Sequence, residues 1–314
     1  MLFLRQILYL LFIIDGAQIL SNAYPGYAIL IMLIQSTPSS SAISDKYSLP
    51  IADVLASVSM VTPVWNGAKT ISQTLASVRA QGAACHEYIV LDSMSDDGTR
   101  EIIEANRDLV TVYVREKDTG LFDAMNRGIA RARSAVVGII NADDLLTEGA
   151  LNRVQMAFQD PAVAYVYSDV RIVDSAGHDI GMFRARRDWV AGKTAWHGRD
   201  WRFVSAISHP GLFVRRRVYD EIGVFDLRYR LAADHDFISR LISRNCVGAF
   251  VEEPLACFRI GGLSGGDLRL FAEDEAIARR FGVPATLARL NRYRSSLGRI
   301  KQRAFGQVLG RVHR

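Results

Sequence analysis

From Val58 onward, short runs of β-branched residues alternate with helix-like stretches, and this alternation constrains the fold more than any other feature. The first four strand-like runs are Val58–Val61, Tyr88–Leu91, Val110–Val114 and Val136–Ile140. The helix-like stretches that follow them are Thr70–Gln81, Thr99–Asn106, Leu121–Ala132 and Thr147–Phe158. Alternation at this spacing is typical of βαβ units. The sequence therefore predicts an α/β fold with a mostly parallel central sheet and helices on both faces.

The pattern continues less regularly toward the C-terminus. Strand-like runs recur at Val163–Tyr167, Ile172–Val173 and Val247–Val251, and a helix is predicted over Asp234–Ser243. The region Trp189–Pro210 is irregular and rich in Trp, Arg and His. We therefore predict one main domain over residues 58–266, preceded by a linker over residues 35–57 and followed by a basic helical extension over residues 267–314.

Residues 1–34 form an apolar segment whose only charged side chains are Arg5 and Asp15. Neither of its apolar runs, Ile7–Ile14 and Ala28–Ile34, reaches the roughly 20 residues of a membrane-spanning helix. A poorly formed anchor, a helix lying on a membrane and an extension with no folded role all fit this composition. Of these, we favour association with a membrane.

Basic residues are clustered, although the net charge is only +5. From Ala276 to the C-terminus there are ten Arg or Lys residues and no acid. Two further clusters are Arg184, Arg186 and Arg187, and Arg215, Arg216 and Arg217. Such clusters favour anionic partners, including nucleotide phosphates and membrane headgroups, whereas a solvated helix face explains the C-terminal extension equally well. No nucleic-acid partner is expected, since interleaved aromatic residues are absent from that extension.

The three cysteines, Cys85, Cys246 and Cys257, are widely spaced and fit neither a zinc pattern nor a disulfide framework. We expect them to be buried apolar residues in a reducing compartment. Together with the apolar N-terminus, this places the protein at the cytoplasmic face of a membrane.

Polar residues follow three of the predicted strands at the point where each strand ends. Thr62, Pro63, Trp65 and Asn66 follow the first strand, Asp92 ends the second, and Asn141-Ala142-Asp143-Asp144 follows the fourth. In a parallel sheet, ligands bind outside the carboxyl ends of the strands. The sequence therefore predicts a binding site at this edge.

The adjacent carboxylates of Asp143 and Asp144 indicate a metal site. Two such groups leaving a buried strand repel each other unless a cation is present, and Mg²⁺ or Mn²⁺ takes oxygen ligands of this kind together with substrate phosphates. The alternative is a helix N-cap, because Thr147-Glu148 follows closely.

A second acidic site, Ala233-Asp234-His235-Asp236, opens the predicted helix. Its carboxylates suit a helix N-terminus, but one of them facing an acceptor hydroxyl would serve as a general base. His209, beside a basic cluster, is a candidate to contact a phosphate or an acceptor.

Several motifs occur in a fixed order along residues 58–266. They are Thr62-Pro63-Val64-Trp65-Asn66, Asp92 with Ser95-Asp96-Asp97-Gly98-Thr99, Asp118-Thr119-Gly120-Leu121-Phe122-Asp123-Ala124-Met125-Asn126-Arg127-Gly128, Asn141-Ala142-Asp143-Asp144, Gly223-Val224-Phe225-Asp226, Ala233-Asp234-His235-Asp236 and Phe258-Arg259-Ile260-Gly261-Gly262-Leu263-Ser264. In this order they resemble the motifs of the family 2 glycosyltransferases, which have the A-type fold.

The resemblance implies a role for each matching residue. Asp143 binds ribose and metal, Asp144 is the favoured metal ligand, Asp234 is the catalytic base, and Asp236 supports the helix as a cap. His209 and Arg259 are candidates for the acceptor or the diphosphate. The residues implied to bind the nucleotide are Thr62, Pro63, Trp65, Asn66, Asp92, Asp118 and Asp143.

The resemblance predicts an inverting glycosyltransferase that uses Mn²⁺ or Mg²⁺. It would move a sugar from a nucleotide-diphosphate donor, a UDP-sugar above all, to a saccharide or lipid-linked acceptor in cell-surface polysaccharide or glycolipid synthesis. Two alternatives stay open. A nucleotidyltransferase would need a basic phosphate loop after the first strand, and Thr62–Gly67 has no basic residue. A non-catalytic nucleotide- or lipid-binding module of the same fold would hydrolyse no donor.

Overall fold

A computed structural model describes residues 56–185, 205, 207–261, 267 and 269–293. The apolar segment 1–34, nearly all of the 35–57 linker, and residues 189–204 of the irregular region therefore lie outside the described residues. So does the C-terminal stretch from residue 294. The predictions made for those segments, and the domain boundaries drawn from them, stay predictions.

The predicted alternation of strands and helices is confirmed through the first half of the domain. The strands are β1 (Val58–Val64), β2 (Glu87–Asp92), β3 (Val112–Arg115), β4 (Val136–Ile139), β5 (Leu145–Leu146), β6 (Tyr165–Val173), β7 (Asp179–Phe183), β8 (Leu212–Arg215) and β9 (Gly248–Arg259). The helices are α1 (Ile71–Arg79), α2 (Thr99–Glu104), α3 (Leu121–Arg131), α4 (Ala150–Ala157), α5 (Arg216–Ile222), α6 (Ala233–Ser243) and α7 (Arg269–Arg280), and residues 285–293 are also helical.

The described strands form one sheet in the order β3-β2-β1-β4-β8-β6-β9-β5, with β7 paired to β6. The strands β1 to β4 are parallel neighbours, and β9 is parallel to β6. β8 is antiparallel to both β4 and β6, so β4 and β6 run in the same direction. The carboxyl ends of β1, β2, β3, β4, β6 and β9 therefore meet at one edge of the sheet, as predicted.

Successive residues of a strand point to opposite faces of the sheet, and the central strands are buried on both faces. Helices therefore cover both faces of the sheet. On one face, Met60 belongs to a core cluster that includes residues of α1 and α4. On the other, Val61 belongs to a cluster that includes residues of α3 and α6. Gly128 of α3 packs so closely on β1 that an added Cβ would overlap the side chain of Val61.

The sequence missed elements whose formation depends on pairing with distant segments. β6 is one strand across two predicted runs, with a register shift against β9 between Ser168 and Val170. The short strands β5, β7 and β8 and the helix α5 were not predicted. No helix among the described residues is long and apolar enough to cross a membrane.

Candidate active site

The loop after β1 is fixed against the loop after β2. Asn66 has a left-handed backbone (φ 52°), its N–H donates to Ser95 Oγ (2.8 Å), and its Oδ1 accepts the N–H of Asp96 (3.1 Å). Trp65 stands beside it with 64% of its surface exposed. The two side chains predicted to bind a nucleotide from this loop, Trp65 and Asn66, are therefore presented at the carboxyl edge of the sheet.

Thr62 and Pro63 lie inside the sheet instead. The Thr62 side chain is fully buried, and its hydroxyl shares a hydrogen bond with the Tyr88 hydroxyl (2.9 Å). Pro63 is buried opposite Leu91 in the β1–β2 pairing. The geometry gives these two residues a supporting position, and direct contact with a nucleotide stays a prediction for them.

Asp92, the last residue of β2, is buried among three hydrogen-bonding and charged groups. Its Oδ1 accepts the Ser95 N–H (2.8 Å), and its Oδ2 accepts the Tyr113 hydroxyl (2.9 Å) and lies 3.3 Å from Arg115 Nε. Tyr113 and Arg115 belong to β3 and were not predicted as site residues. Their position at the carboxyl end of a predicted parallel strand could have indicated them. An open pocket next to this cluster is lined by Ser95, Asp96, Gly98, Arg100, Glu101 and Arg115.

Asp118 lies at the entry to α3, beside the same cluster. Its N–H donates to Ser93 Oγ (3.3 Å), and its half-buried carboxylate accepts the N–H of Gly120 (2.9 Å). The structure thus brings Asp118 close to the end of β2, as the predicted nucleotide site requires.

The two carboxylates after β4 have different surroundings. Asp144 is fully buried: its Oδ1 accepts the Arg259 N–H (2.9 Å), and its Oδ2 accepts Nδ2 of Asn141 (3.0 Å). Burial, followed by the charge of Asp143, raises the pKa of Asp144 to about 8. Asp144 therefore faces the interior, and each of its two carboxylate oxygens accepts a hydrogen bond from the protein.

Asp143 is half-buried, and among the described residues no other side chain donates a hydrogen bond to its carboxylate. Burial raises its pKa. Two residues earlier, the buried Oδ1 of Asn141 also lacks a hydrogen-bond partner in the described part of the chain. Hard divalent cations take oxygen ligands, so Asn141 and Asp143 fit such an ion better than Asp144 does. The described residues contain no group of three or more His, Cys, Asp or Glu side chains that could hold a metal by themselves.

Arg259 holds the acidic loop in place. Its buried guanidinium donates to the main-chain oxygens of Asp143 (3.0 Å), Asp174 (3.2 Å) and Ser175 (2.8 Å), and to Oε1 of Gln73 (2.6 Å). These bonds occupy the guanidinium, and its predicted contact with a diphosphate stays a prediction.

His209 is placed at the same edge of the sheet by the pairing of β8 with β4, since Phe213 lies opposite Gly138. Its ring is buried and meets Phe225 edge-on, with centroids 5.8 Å apart. Neither ring nitrogen has a hydrogen-bond partner within the described residues, and burial lowers the pKa to about 4. His209 is therefore a neutral imidazole with unused hydrogen-bonding capacity.

Asp234 lies in the first turn of α6 and is half-buried. Burial raises the pKa of its carboxyl to about 6, against the lowering influence of His235, whose N–H it accepts (2.9 Å). Phe237, one turn later on the helix, packs on Phe225, which in turn contacts His209. The contacts among Phe237, Phe225 and His209 therefore connect the first turns of α6 to the sheet edge at which His209 lies.

Asp236 supports the helix, but through ion pairs and not as a cap. It is fully buried, with Arg240 Nε 2.9 Å from one oxygen and Arg280 Nη1 2.5 Å from the other. Two of the basic clusters are also partly used inside the fold. Arg184 pairs with buried Asp169 (2.7 Å), and Arg215 donates to main-chain oxygens, including that of Val163 (2.6 Å).

Comparisons with known proteins agree on the family. The family model for glycosyl transferase family 2 matches residues 59–223, more than half of the chain. The chain is 27% identical over 249 residues to the PGL/p-HBAD biosynthesis glycosyltransferase of Mycobacterium tuberculosis, covering 77% of this chain and 92% of that protein. It is 31% identical over 212 residues to the O-antigen biosynthesis protein RfbC of Myxococcus xanthus, covering 65% of this chain and 16% of that protein.

Solved structures support the fold. The mannosyltransferase PcManGT of Pyrobaculum calidifontis, in complex with GDP-Man and Mn²⁺, superposes with a TM-score of 0.54 at 19% identity over 81% of this chain and 80% of that one. S. aureus TarS 1-349 in complex with UDP-GlcNAc gives 0.51 at 14% identity over 74% and 69%. At these identities the likeness shows the A-type fold alone. On the family match, the chain belongs to glycosyl transferase family 2 and is a glycosyltransferase.

Proposed function

We propose that the protein is an inverting glycosyltransferase that moves a sugar from a nucleotide-diphosphate donor to an acceptor hydroxyl. The observation that carries the proposal is that the edge formed by the carboxyl ends of the parallel strands has two chemically different parts. The exposed Trp65 ring and the open pocket next to Asp92 lie at one part. The Asn141 Oδ1 and the Asp143 carboxylate, to which no side chain of the described residues donates a hydrogen bond, lie after the neighbouring strand β4. That arrangement suits a nucleoside at the first part and a charged diphosphate at the second.

The nucleoside end would be held by Trp65 and the Asp92 cluster. The exposed Trp65 ring offers a face on which a base can stack, and Asp92 with Arg115 lies next to an open pocket. TarS 1-349 is bound to UDP-GlcNAc and PcManGT to GDP-Man. These ligands support a nucleotide-sugar donor, and we propose a UDP-sugar.

The donor's diphosphate would be bound together with Mn²⁺ or Mg²⁺ by Asp143 and Asn141. The buried Asp144 would support this site through its hydrogen bond with the Asn141 side chain. When bound, such an ion neutralises the charge that develops on a departing diphosphate. The Mn²⁺ present with PcManGT supports metal use in this fold. Arg259 keeps the loop in the shape that presents Asp143 outward, and His209 can add a hydrogen bond to the diphosphate or to the acceptor.

Asp234 would act as the general base. A carboxyl with a pKa of about 6 is ionised near neutral pH yet accepts a proton more readily than an ordinary aspartate. It would take the acceptor's hydroxyl proton while the oxygen attacks the anomeric carbon from the face opposite the diphosphate, which inverts that centre.

The acceptor is proposed from the relatives. Their names place them in PGL/p-HBAD and O-antigen biosynthesis. We therefore propose a saccharide or lipid-linked acceptor in glycolipid or cell-surface polysaccharide synthesis, met at the cytoplasmic face of the membrane.

The test is to assay the purified full chain with Mn²⁺ in two reactions, one with a panel of nucleotide sugars to follow release of nucleoside diphosphate, and one with nucleoside triphosphates and sugar 1-phosphates to follow release of pyrophosphate. Release of nucleoside diphosphate that requires Asp234 supports the proposal, with Asp220→Asn on the exposed face of α5 as the matched control. Pyrophosphate release would instead indicate a nucleotidyltransferase. Donor binding without any turnover would indicate a non-catalytic module.

A further inference from the structure

Helix α7 touches the start of α6 through several charged side chains, and both helices lie beyond the residues that the family model matches. The contacts come from Glu273, Asp274 and Arg280. Each of these residues bonds to a position within four residues of Asp234 in the sequence. The face of α7 therefore contacts α6 where the proposed base is located.

Glu273 binds the three backbone N–H groups that lead into α6. The residue at the N-cap position is Ala232, which has no side-chain acceptor, and within the helix Asp234 Oδ1 accepts the N–H of His235 (2.9 Å). Helix N-termini leave unpaired N–H groups that need acceptors. Glu273 Oε1 accepts the Arg230 N–H (3.0 Å), and its Oε2 accepts those of Leu231 (2.8 Å) and Ala232 (2.9 Å).

The two residues after Asp234 are bound by α7 as well. Asp274 Oδ1 is 2.8 Å from Nδ1 of the buried His235, and Arg280 shares the buried Asp236 carboxylate with Arg240 of α6 itself. Charge-assisted bonds of this kind are stronger than neutral ones, and here their α6 partners, His235 and Asp236, are buried. The backbone before Asp234 and the side chains after it are thus fixed from outside the helix.

We propose that α7 is a positioning element for the catalytic base: Glu273 and Asp274 hold the first turn of α6, and with it the Asp234 carboxylate, in one conformation. The inference rests on the proposed role of Asp234. Precise placement of a catalytic group is worth much of its effect, because a displacement of about 1 Å can cost on the order of 100-fold in rate. Glu273 and Asp274 act through the backbone and His235 and do not themselves contact the substrate.

The test compares Glu273→Gln with Glu275→Gln in the full chain. Glutamine keeps one acceptor oxygen of Glu273 but turns an amide NH₂ toward backbone donors. Glu275 is the matched control because it is a buried glutamate of the same helix that bonds to Arg292 (3.1 Å) and, among the described residues, not to α6. We expect Glu273→Gln to lower kcat by about 10- to 100-fold with the donor KM changed less than about twofold, and Glu275→Gln to leave both within about twofold.

Amide hydrogen exchange gives a readout that does not need activity. In Glu273→Gln, the amides of residues 230–235 should exchange faster, while those of β1 and β4 keep wild-type rates. If Glu273→Gln does not fold, Asp274→Asn serves the same comparison through His235. Unchanged kcat together with unchanged exchange at residues 230–235 would overturn the positioning role.

The outcome for Asp234→Asn separates this inference from the proposed function. If Asp234→Asn abolishes transfer and Glu273→Gln does not reduce it, α7 has no positioning role and the base assignment stands. If Asp234→Asn transfers at the wild-type rate, the base assignment fails and the positioning role falls with it.

Discussion

The main-chain N–H of Arg259 donates a hydrogen bond of 2.9 Å to the carboxylate of Asp144, which joins the end of β9 to the loop after β4. The same arginine holds the main-chain oxygen of Asp143 through its guanidinium (3.0 Å). One residue thus fixes both positions of an acidic pair. As a result, Asp144 is directed into the protein and the Asp143 carboxylate is left without a side-chain partner among the described residues.

The buried Asp144 should make stability depend on pH. Its pKa is raised to about 8 from an ordinary value of 3.8, so the folded state keeps a proton that the unfolded chain has lost. This stabilisation is complete below the unfolded pKa and is lost as the pH rises through about 8. Asp144→Asn has no such proton. In metal-free buffer, we expect the Tm of Asp144→Asn minus that of wild type to increase from about pH 5 to about pH 9.

Asparagine can be accommodated at this position. Its oxygen can accept the Arg259 N–H. Its NH₂ can donate to Asn141 Oδ1, which has no hydrogen-bond partner among the described residues, once the Asn141 amide turns over. For Asp220→Asn, on the exposed surface, the difference between the Tm of the variant and that of wild type should not change with pH. A Tm difference for Asp144→Asn that is constant across the same pH range would mean that Asp144 is ionised throughout.

Asp143 should matter for metal-dependent donor binding and little for folding. Its carboxylate makes no side-chain hydrogen bond within the described chain, so Asp143→Asn should leave Tm within about 2 °C of wild type. We expect it to weaken the Mn²⁺-dependent part of nucleoside-diphosphate affinity at least tenfold in titration calorimetry. If Asp144→Asn loses that affinity and Asp143→Asn keeps it, the assignment of the two carboxylates is reversed.

Much of the sheet could be predicted because its signals are local. The strands β1, β2 and β4 are mostly apolar and buried along their whole length, and polar residues occur at the same edge where each one ends. β8 was missed because its four residues become a strand only between β4 and β6, far away in the sequence. A local pattern cannot contain that pairing.

In the candidate site, too, some features have local sequence signals and others depend on distant contacts. The acidic residues could be found from their positions at strand ends, but the opposite orientations of Asp143 and Asp144 depend on Arg259, more than 100 residues later. The segment that leads into α6 is held by Glu273, which is 41 residues from Ala232. Residue type and spacing predict which groups are available, and tertiary contacts decide which of them stay unpaired.

Trp65 should contribute to donor affinity without contributing to stability. Because 64% of its surface is exposed, Trp65→Ala should change the free energy of unfolding by less than about 0.5 kcal/mol. Stacking of a base on an aromatic ring is worth about 1–3 kcal/mol, so the Kd for nucleoside diphosphate should rise roughly 5- to 150-fold. Trp65→Tyr should keep most of the affinity.

The matched control for Trp65 is Met156 on α4, which is equally exposed. Met156→Ala should alter neither stability nor nucleotide affinity. Equal affinities for Trp65→Ala and Met156→Ala would place the base elsewhere.

The raised pKa of Asp234 should appear as a fall in kcat on the acidic side of the pH–rate profile. A general base must be unprotonated, and burial brings its pKa to about 6. We therefore expect kcat to fall about tenfold for each pH unit below 6 and to level off above it. The kcat of Asp234→Asn should be low and should not show this fall. A wild-type fall near pH 4 would point to an ordinary, exposed carboxylate.

Arg259 offers a way to distinguish a residue that shapes the site from one that contacts the substrate. Its guanidinium donates to three main-chain oxygens and to Gln73, a set that the single ammonium of lysine cannot reproduce. We expect Arg259→Lys to lower the free energy of unfolding by about 2–4 kcal/mol in denaturant titrations, because buried acceptors lose their donors.

The control for Arg259 is Arg215→Lys, which also removes bonds to main-chain oxygens but on a different part of the sheet. Both variants should be less stable than wild type. Of the two variants, only Arg259→Lys should also weaken Mn²⁺-dependent nucleotide binding, since Arg259 donates to the main chain of Asp143 and Arg215 donates to that of other loops. If Arg259→Lys weakens nucleotide binding with no loss of stability, the guanidinium contacts the diphosphate directly, and the bonds to residues 143, 174 and 175 must open when the donor binds.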